Sequence, residues 1–370
     1  MCAGSLDPAL PKIPRYGVEA DVSRPRVDAG KTVGASLGGE TVTQKQTRRA
    51  KIALTVVSVV LGLLSVANTY TFGWRPIVGA KARALGARRF DPTGARIERG
   101  RYLVEGALHC FACHSPRDPN SPVGAPLAEK RGAGKVFSGG KFGLLVAPNI
   151  TPDAETGAGT WTDDMLARAV REGIGHDGRA LFPMMPYRNL SRLSDEDLAS
   201  VVVYLRSIPS VRNPLPQTKL SLPFNLLVKS LPEPLDAPVA PPDMSSAVER
   251  GAYLARVANC VTCHSPLDGK GQPVAGMEFA GGLKLKNAQG RELVTPNLTP
   301  DPSGISYYDE GMFLKALRTG RVGARSLDPE MPWGYYRNMT DEDLRAIFAY
   351  LRTLKPVKHV VRDNAEIAEQ

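Results

Sequence analysis

One pattern runs twice through this 370-residue chain in the same order, so whatever the first copy folds into, the second must fold into as well. Cys110-Phe111-Ala112-Cys113-His114 returns as Cys260-Val261-Thr262-Cys263-His264, each followed by Ser-Pro. Ahead of them, Glu98-Arg99-Gly100-Arg101-Tyr102-Leu103 returns as Glu249-Arg250-Gly251-Ala252-Tyr253-Leu254. Behind them, Phe137-Ser138-Gly139-Gly140 is matched with Phe279-Ala280-Gly281-Gly282, and Pro148-Asn149-Ile150-Thr151-Pro152-Asp153 with Pro296-Asn297-Leu298-Thr299-Pro300-Asp301. Met185-Pro186 and Ser194-Asp195-Glu196-Asp197-Leu198 return as Met331-Pro332 and Thr340-Asp341-Glu342-Asp343-Leu344, and both copies end in Tyr-Leu-Arg. The offset stays between 142 and 151 residues, a drift that small loop insertions explain. From Ala95 onward the chain is a duplicated domain.

The C-x-x-C-H at the centre of each copy is the attachment signature of a c-type haem. Two thiols three positions apart can form thioethers to one porphyrin, and the adjacent imidazole then lies under the iron. Disulfides, a zinc site and a redox dithiol are the alternatives. A four-cysteine zinc site needs no histidine after both pairs, and a thioredoxin-like dithiol needs a βαβ context that the pattern lacks. Two covalent haem c groups are therefore expected, with Cys110, Cys113, Cys260 and Cys263 as the anchors and His114 and His264 as iron ligands. A methionine before proline suits the sixth position of an electron-transfer haem. Met185 follows His114 by 71 residues and Met331 follows His264 by 67, and both are assigned as distal ligands. Met184 is read as a packing neighbour. His109 is expected to be exposed or to face a propionate, His176 to be a loop residue, and His359 to be inert. Asn149 and Asn297 fit Asx-type turns, and the Asp-Glu-Asp runs fit helix starts rather than catalytic carboxylates.

The flanks set the organisation. Residues 1–51, rich in Pro, Gly, Ser, Thr and charge, are expected to be disordered, with Cys2 an ordinary thiol rather than a lipidated one. Residues 52–74 carry no charge, 23 positions in a row, and as a helix span roughly 34 Å, enough for a bilayer core. Tyr70, Phe72 and Trp74 form an aromatic belt at its far end. Ser65-Val66-Ala67 resembles a signal-peptidase site, but the uncharged run continues past it, so an uncleaved anchor is preferred. Basic residues flank both ends and leave the orientation undecided by charge. Residues 75–94 form a juxtamembrane linker, 95–208 the first domain and 246–357 the second. The intervening 209–245, with nine prolines between 209 and 242, is a semi-rigid linker whose apolar stretch Leu222–Leu227 covers a haem edge. Residues 358–370 are a tail.

Each domain reads as mostly helical. Amphipathic helices precede the haem motifs, central helices close on Gly173 and Gly320, and the last helices begin with capping boxes in which Asp197 and Asp343 reach back. Val201, Val202 and Leu205, matched by Ile347, Phe348 and Leu351, give the last helices one apolar face. A net charge of +10 fits an acidic redox partner or a membrane surface, and no nucleic-acid motif accompanies it.

Together the doubled C-x-x-C-H, P-N-[IL]-T-P-D, M-P and [ST]-D-E-D-L motifs over Ala95–Val357 make the chain resemble membrane-anchored di-haem members of the class I cytochrome c family. It is similar to the cytochrome subunits of bacterial periplasmic alcohol, aldehyde and gluconate dehydrogenases, which often carry three such units where this chain has two. The resemblance implies a mainly α protein of two tandem class I cytochrome c domains after one transmembrane helix. It places the haem domains in the periplasm, on a single-pass protein of the bacterial inner membrane. It implies an electron-transfer subunit rather than a stand-alone enzyme, taking single electrons from a periplasmic or membrane dehydrogenase or a quinol-linked donor and passing them to an oxidase or soluble cytochrome. A di-haem peroxidase or thiosulfate dehydrogenase is the alternative.

Overall fold

A computed structural model of the chain describes residues 40–71, 73–269, 271–287 and 289–361. Cys2, the expected disorder up to residue 39, Phe72 and the tail beyond 361 lie outside the described residues. Helix α1 runs Glu40–Thr71, so it takes in polar residues for which the sequence predicts no structure. Once the apolar stretch nucleates a helix, the Gln, Lys, Arg and Ala residues before it extend that helix at little cost. The far end falls short of Trp74. Gly73, at φ 68, donates its N–H to Asn68 O at 2.7 Å, a glycine-closed terminus. Among the described residues, one helical stretch, Gln44–Thr69, is long and apolar enough to cross a bilayer. The chain's two compact units divide within α1, after Leu64, and the second unit, Ser65–Gln370, holds both repeats.

After α2 (Arg75–Val78), the first repeat contains α3 (Gly94–Tyr102), α4 (Cys110–Cys113), α5 (Asp163–Glu172), α6 (Tyr187–Leu190) and α7 (Asp195–Ser207). After α8 (Phe224–Leu227), the second contains α9 (Ala247–Val257), α10 (Cys260–Cys263), α11 (Glu310–Thr319), α12 (Trp333–Tyr336) and α13 (Asp341–Thr353). Short antiparallel strands accompany the helices. Strands β1 (Lys135–Ser138) and β2 (Gly143–Ala147) pair in register Lys135↔Ala147, and β3 (Lys219–Leu220) joins β2. Strands β4 (Lys284–Lys286) and β5 (Glu292–Val294) form a ribbon in the second repeat.

In each repeat the first and last helices cross at a glycine. A Cβ at Gly100 would stand 2.0 Å from Ser200 O, and one at Gly251 1.8 Å from Ala346 O, so only glycine permits this approach. The crossing buries Val201, Val202 and Leu205 in the first repeat and Ile347 and Leu351 in the second, the faces expected from their spacing. The first repeat holds one extra residue here: Cys110 is eight positions after Tyr102, whereas Cys260 is seven after Tyr253. The insertion is absorbed by a π turn, Leu103–Ala107, where α3 runs on towards the cysteines.

Helix ends follow the sequence signals with one exception. Ser194 Oγ and Thr340 Oγ1 each accept from the N–H of the third residue on, Asp197 and Asp343, at 3.1 Å. Gly173 and Gly320 close α5 and α11 at φ 71 and 66. The exception is the reciprocal half of the capping boxes, because Asp197 and Asp343 do not reach back. Asp197 instead accepts from Arg99 Nε at 2.7 Å and from Tyr253 Oη at 2.6 Å. Asp343 accepts from Arg250 and from Tyr102 Oη. Each carboxylate is therefore held by the arginine of its own repeat and the tyrosine of the other. Tyr253 Oη also receives Ser194 N–H at 3.3 Å, and Tyr102 Oη receives Thr340 N–H at 3.2 Å. Charged partners make these stronger bonds than a return to an N-cap amide in water.

The segments read as linkers are docked. In 75–94, Arg83 donates from Nη2 to Asp164 Oδ1 at 2.7 Å and from Nε to Glu172 Oε1 at 2.8 Å, two carboxylates whose side chains are 1% and 2% exposed. Gly86 N–H adds a 2.7 Å bond to Asp164 Oδ2. Residues 209–245 add β3 to the first repeat's sheet and place Val239 O on Asp195 N–H at 2.9 Å. Proline removes donors but leaves carbonyls, and these satisfy neighbouring N–H groups.

Tyr253→Phe should cost about 2 kcal/mol, since a buried charged acceptor loses its donor, and a double-mutant cycle with Asp197→Asn in thermal unfolding should return most of it as coupling. Burial alone would raise Asp164, but the Arg83 hydrogen bond and Gly86 N–H outweigh it and hold the carboxyl below its ordinary value. That depression stabilises the fold above the carboxylate range and is lost as pH falls through the folded pKa. Arg83→Ala should therefore cost about 3 kcal/mol near neutrality, and the penalty should shrink in acid as the stranded carboxylates protonate. A penalty flat with pH in urea titrations would contradict this account.

Candidate functional site

Each C-x-x-C forms a single helical turn entered through a left-handed residue, His109 at φ 40 and Asn259 at φ 65. The turn closes with His114 N–H on Cys110 O at 2.9 Å and His264 N–H on Cys260 O at 2.8 Å. Both imidazoles are buried, and burial pulls their pKa values down, which keeps them in the neutral, metal-binding form. Nδ1 of His114 meets Pro148 O at 2.8 Å and Nδ1 of His264 meets Pro296 O at 2.9 Å. Nδ1 must be the donor to a carbonyl, which leaves Nε2 with its lone pair for an iron.

The carbonyl is itself positioned by the P-N-[IL]-T-P-D motif. Asn149 Oδ1 accepts from Thr151 N–H at 3.0 Å, and Asn297 Oδ1 from Thr299 N–H at 2.8 Å, the Asx turn expected of them. Their Nδ2 groups donate to Val211 O at 2.7 Å and Val357 O at 2.9 Å, tying the chain that leaves the last helix to the histidine loop. Behind the histidine, Gly134 and Gly281 donate to His114 O and His264 O, both at 2.8 Å. A Cβ there would lie 2.6 Å from Pro148 C and 2.5 Å from Pro296 C.

This equivalence corrects the alignment of the two copies. Gly281 corresponds to Gly134, so Phe279 corresponds to Gly132 and not to Phe137. Gly132 N–H and Phe279 N–H both donate to the serine after the histidine, Ser115 and Ser265, at 2.9 Å. The wider ring of Phe111 beside Gly132 is exchanged for Val261 with Phe279, so one benzyl group is supplied from opposite sides. Phe279 keeps the left-handed φ of 62.

In the first repeat a cavity of about 450 Å³ is lined by Cys110, Cys113, His114, Leu166, Val170 and Met185 among others. An apolar slot with two thiols, one neutral imidazole and one thioether fits a haem. Met185 and Met331 sit at equivalent turns, held by Met185 N–H on Phe182 O at 3.1 Å and Met331 N–H on Asp328 O at 3.0 Å. Both pack against the core, while Met184 is exposed although it also borders the cavity. Burial pushes the Cys110 and Cys260 thiols up to about 12, the reverse of what a redox dithiol requires. No group of three or more His, Cys, Asp or Glu among the described residues is arranged to hold a metal ion alone.

The remaining histidines have structural partners. His109 sits half-buried edge-on to Tyr336, ring centroids 5.4 Å apart, and near Tyr335, so it faces the other repeat rather than solvent. Its counterpart Asn259 accepts from Asn189, which also donates to Thr262 at 2.8 Å. His176 stacks on Trp161 at 4.2 Å at the cavity rim, in keeping with a loop role. His359 is not inert: its N–H donates to Ser303 Oγ at 3.0 Å and its Nδ1 meets Ala280 O at 2.8 Å. Asn213 does the same in the first repeat, to Thr156 Oγ1 at 2.9 Å and Ala133 O at 2.8 Å.

The two sites face one another. Thr262, inside the second C-x-x-C turn, accepts from Asn189 of the first repeat at 2.8 Å, and His109, which enters the first turn, lies against Tyr335 and Tyr336 of the second, so each turn borders the other repeat. Arg117 of the first repeat pairs with Glu330, beside Met331, at 2.6 Å. Gly334 lies under Val123 O of the first repeat, where a Cβ would come within 2.4 Å. The interface is invisible to a reading of each copy alone. Its signals, Asn259 and Tyr335–Tyr336, break the repeat pattern.

Comparison with known proteins agrees with this geometry. The cytochrome c family model matches residues 97–209 and 248–355. A nicotinate dehydrogenase subunit of Pseudomonas putida is 30% identical over 90% of this chain and 28% of its own length. The cytochrome c subunit of the quinone alcohol dehydrogenase of Gluconacetobacter polyoxogenes is 30% identical over 72% of this chain and 58% of its own. A diheme cytochrome c-type protein of Cereibacter sphaeroides is 29% identical over 67% of this chain and 83% of its own. The chain thus spans 28% and 58% of the first two relatives. Each family match contains one C-x-x-C-H turn, which makes two covalently bound haem c groups per chain. With two linked domains, each holding a buried histidine fixed by a carbonyl behind a C-x-x-C turn, this chain belongs to the cytochrome c family.

Proposed function

We propose that this chain is a di-haem electron-transfer subunit anchored in the bacterial inner membrane, with its haem domains in the periplasm. Cys110 and Cys113 hold one haem, with His114 and Met185 as axial ligands. Cys260 and Cys263 hold the other, with His264 and Met331. Single electrons enter from a periplasmic or membrane dehydrogenase or a quinol and leave to an oxidase or soluble cytochrome. The observation that carries this reading is the packing of two such sites into one compact unit, with each C-x-x-C turn bordering the other repeat. A chain serving one redox site has no use for that placement.

When bound, the haems supply a one-electron redox centre each. The chain's residues fix the rest. The Pro148 and Pro296 carbonyls set the tautomer and plane of each imidazole, and burial keeps the imidazoles neutral. His114 with Met185, and His264 with Met331, would hold each iron from braced turns, which would limit rearrangement on oxidation and suit outer-sphere transfer. The relatives support a dehydrogenase as donor, since their names include cytochrome c subunits of alcohol, fructose and gluconate dehydrogenases. They lend nothing to a peroxidase.

Met185→Ala and Met331→Ala should each convert one haem to a high-spin form that binds carbon monoxide, removing about half of the low-spin ferrous absorbance. Retention of a fully low-spin spectrum in the double variant would show that the methionines are not ligands. Gly281→Ala should displace the Pro296 carbonyl from His264 and shift the potential of one haem while leaving the other unchanged. Redox titration of the purified holoprotein reads both values.

A further inference from the structure

Directly after α1 the chain forms an apolar surface that the electron-transfer reading does not use. Trp74, Ile77 and Val78 are 44%, 67% and 70% exposed. Leu222, 71% exposed, and Leu226, 38% exposed, belong to a segment about 150 residues later. The two segments are brought together by packing of α2 on α8 and by Lys229 Nζ donating to Pro76 O at 3.3 Å. Pro76 is buried between them, while the large side chains on either side point out. Arg75 and Lys81 are exposed beside this surface.

The surface borders the first haem cleft. Gly79 and Ala80 from one segment and Asn225 and Val228 from the other line that cavity. Phe224 packs on Phe142 at 4.7 Å, and Phe142 on Phe182 at 5.2 Å, three residues before Met185. Of the Leu222–Leu227 stretch, Asn225 lines the first site, whereas Leu222 and Leu226 are exposed and do not. The segment after α1 is not free to swing, because Arg83 and Gly86 fasten it to Asp164 and Glu172.

We infer that this surface lies in the interfacial layer of the bilayer, so that the first haem cleft opens at the membrane and the second domain is the one presented to partners in the aqueous phase. The inference rests on α1 being a retained membrane span. Val78 lies seven positions after Thr71, the end of α1, at most roughly 25 Å of chain, so a span ending near the end of α1 delivers α2 to the headgroup layer. An amphipathic Trp74, apolar Ile77 and Val78, and exposed cations are the side chains that layer accepts. Leu222 and Leu226 carry the argument, because nothing in their own segment requires two exposed leucines where α2 sits.

Nitroxide labels test this on the full-length haem-loaded protein in its oxidised form, without added reductant, in vesicles of phosphatidylethanolamine and phosphatidylglycerol. In a Cys2→Ser background, labels on Leu222→Cys and Leu226→Cys are compared with one on Tyr307→Cys, an exposed residue of the second domain. Collision with oxygen relative to a water-soluble nickel chelate should be several-fold higher at 222 and 226 than at 307. Equal ratios at all three sites would overturn the inference. A label on Val60→Cys separates the two readings: depth at 60 with water-like values at 222 and 226 leaves the anchor standing and removes the docking surface. If intact mass shows α1 to be cleaved, the same labels are read on the shortened protein added to vesicles, and water-like values again overturn the inference. Labels that leave water only when a dehydrogenase subunit is added would assign the surface to protein and refute the lipid assignment.

Discussion

The whole arrangement depends on two helix crossings with no room for a β-carbon. At Gly100 and Gly251 the backbone of one helix rests on a carbonyl of another, and the residues either side are fixed by that contact. The arginine before each glycine is aimed at the aspartate three residues into the last helix. The tyrosine two positions after it leaves in the other direction and reaches the opposite repeat. Just beyond the end of that helix lies the C-x-x-C turn. One steric condition thus sets the place of the attachment cysteines within a repeat and the contact between repeats.

The histidines depend on a second layer of support. A buried imidazole with a free Nε2 is useful only if its Nδ1 proton has a fixed acceptor. The proline carbonyl that serves is braced by an Asx turn, by a glycine that cannot carry a side chain, and by the strand of chain leaving the last helix. His359 and Asn213 close that last connection in their respective domains with the same pair of bonds. A histidine can do an asparagine's work here because one N–H towards a carbonyl and a backbone N–H towards a hydroxyl are all the position asks.

Much of this is legible in the residues. The duplication, the helix caps at Ser194 and Thr340, the glycine stops at 173 and 320 and the Asx turns at 149 and 297 are local signals, and each acts over a few positions. What escapes depends on partners distant in sequence. Asp197 has the spacing of a capping box, yet an arginine and a tyrosine from elsewhere displace the amide. Identity aligns Phe279 with Phe137, whereas its true counterpart is Gly132, because the aromatic ring moved to Phe111 and only the hydrogen bonds kept the register. The prolines of 209–245 suggest a spacer, but proline composition says nothing about a two-residue strand that finds β2. Trp74 prolongs an uncharged run, and Gly73 ends the helix before it.

The exchange of Tyr102 and Tyr253 between Asp343 and Asp197 has a further meaning. The same patch on each domain donates to, and accepts from, the same patch on the other, which is the contact rule of a two-fold symmetric homodimer. Joining two copies of one chain would leave that contact intact while freeing each copy to vary alone. The departures from symmetry in this protein then become readable as specialisation. Asn189 with Asn259 on one side and Tyr335 with His109 on the other occupy equivalent places with different chemistry. A single gene holds what two identical subunits could not: one domain adapted to where the chain enters the bilayer and one that is not.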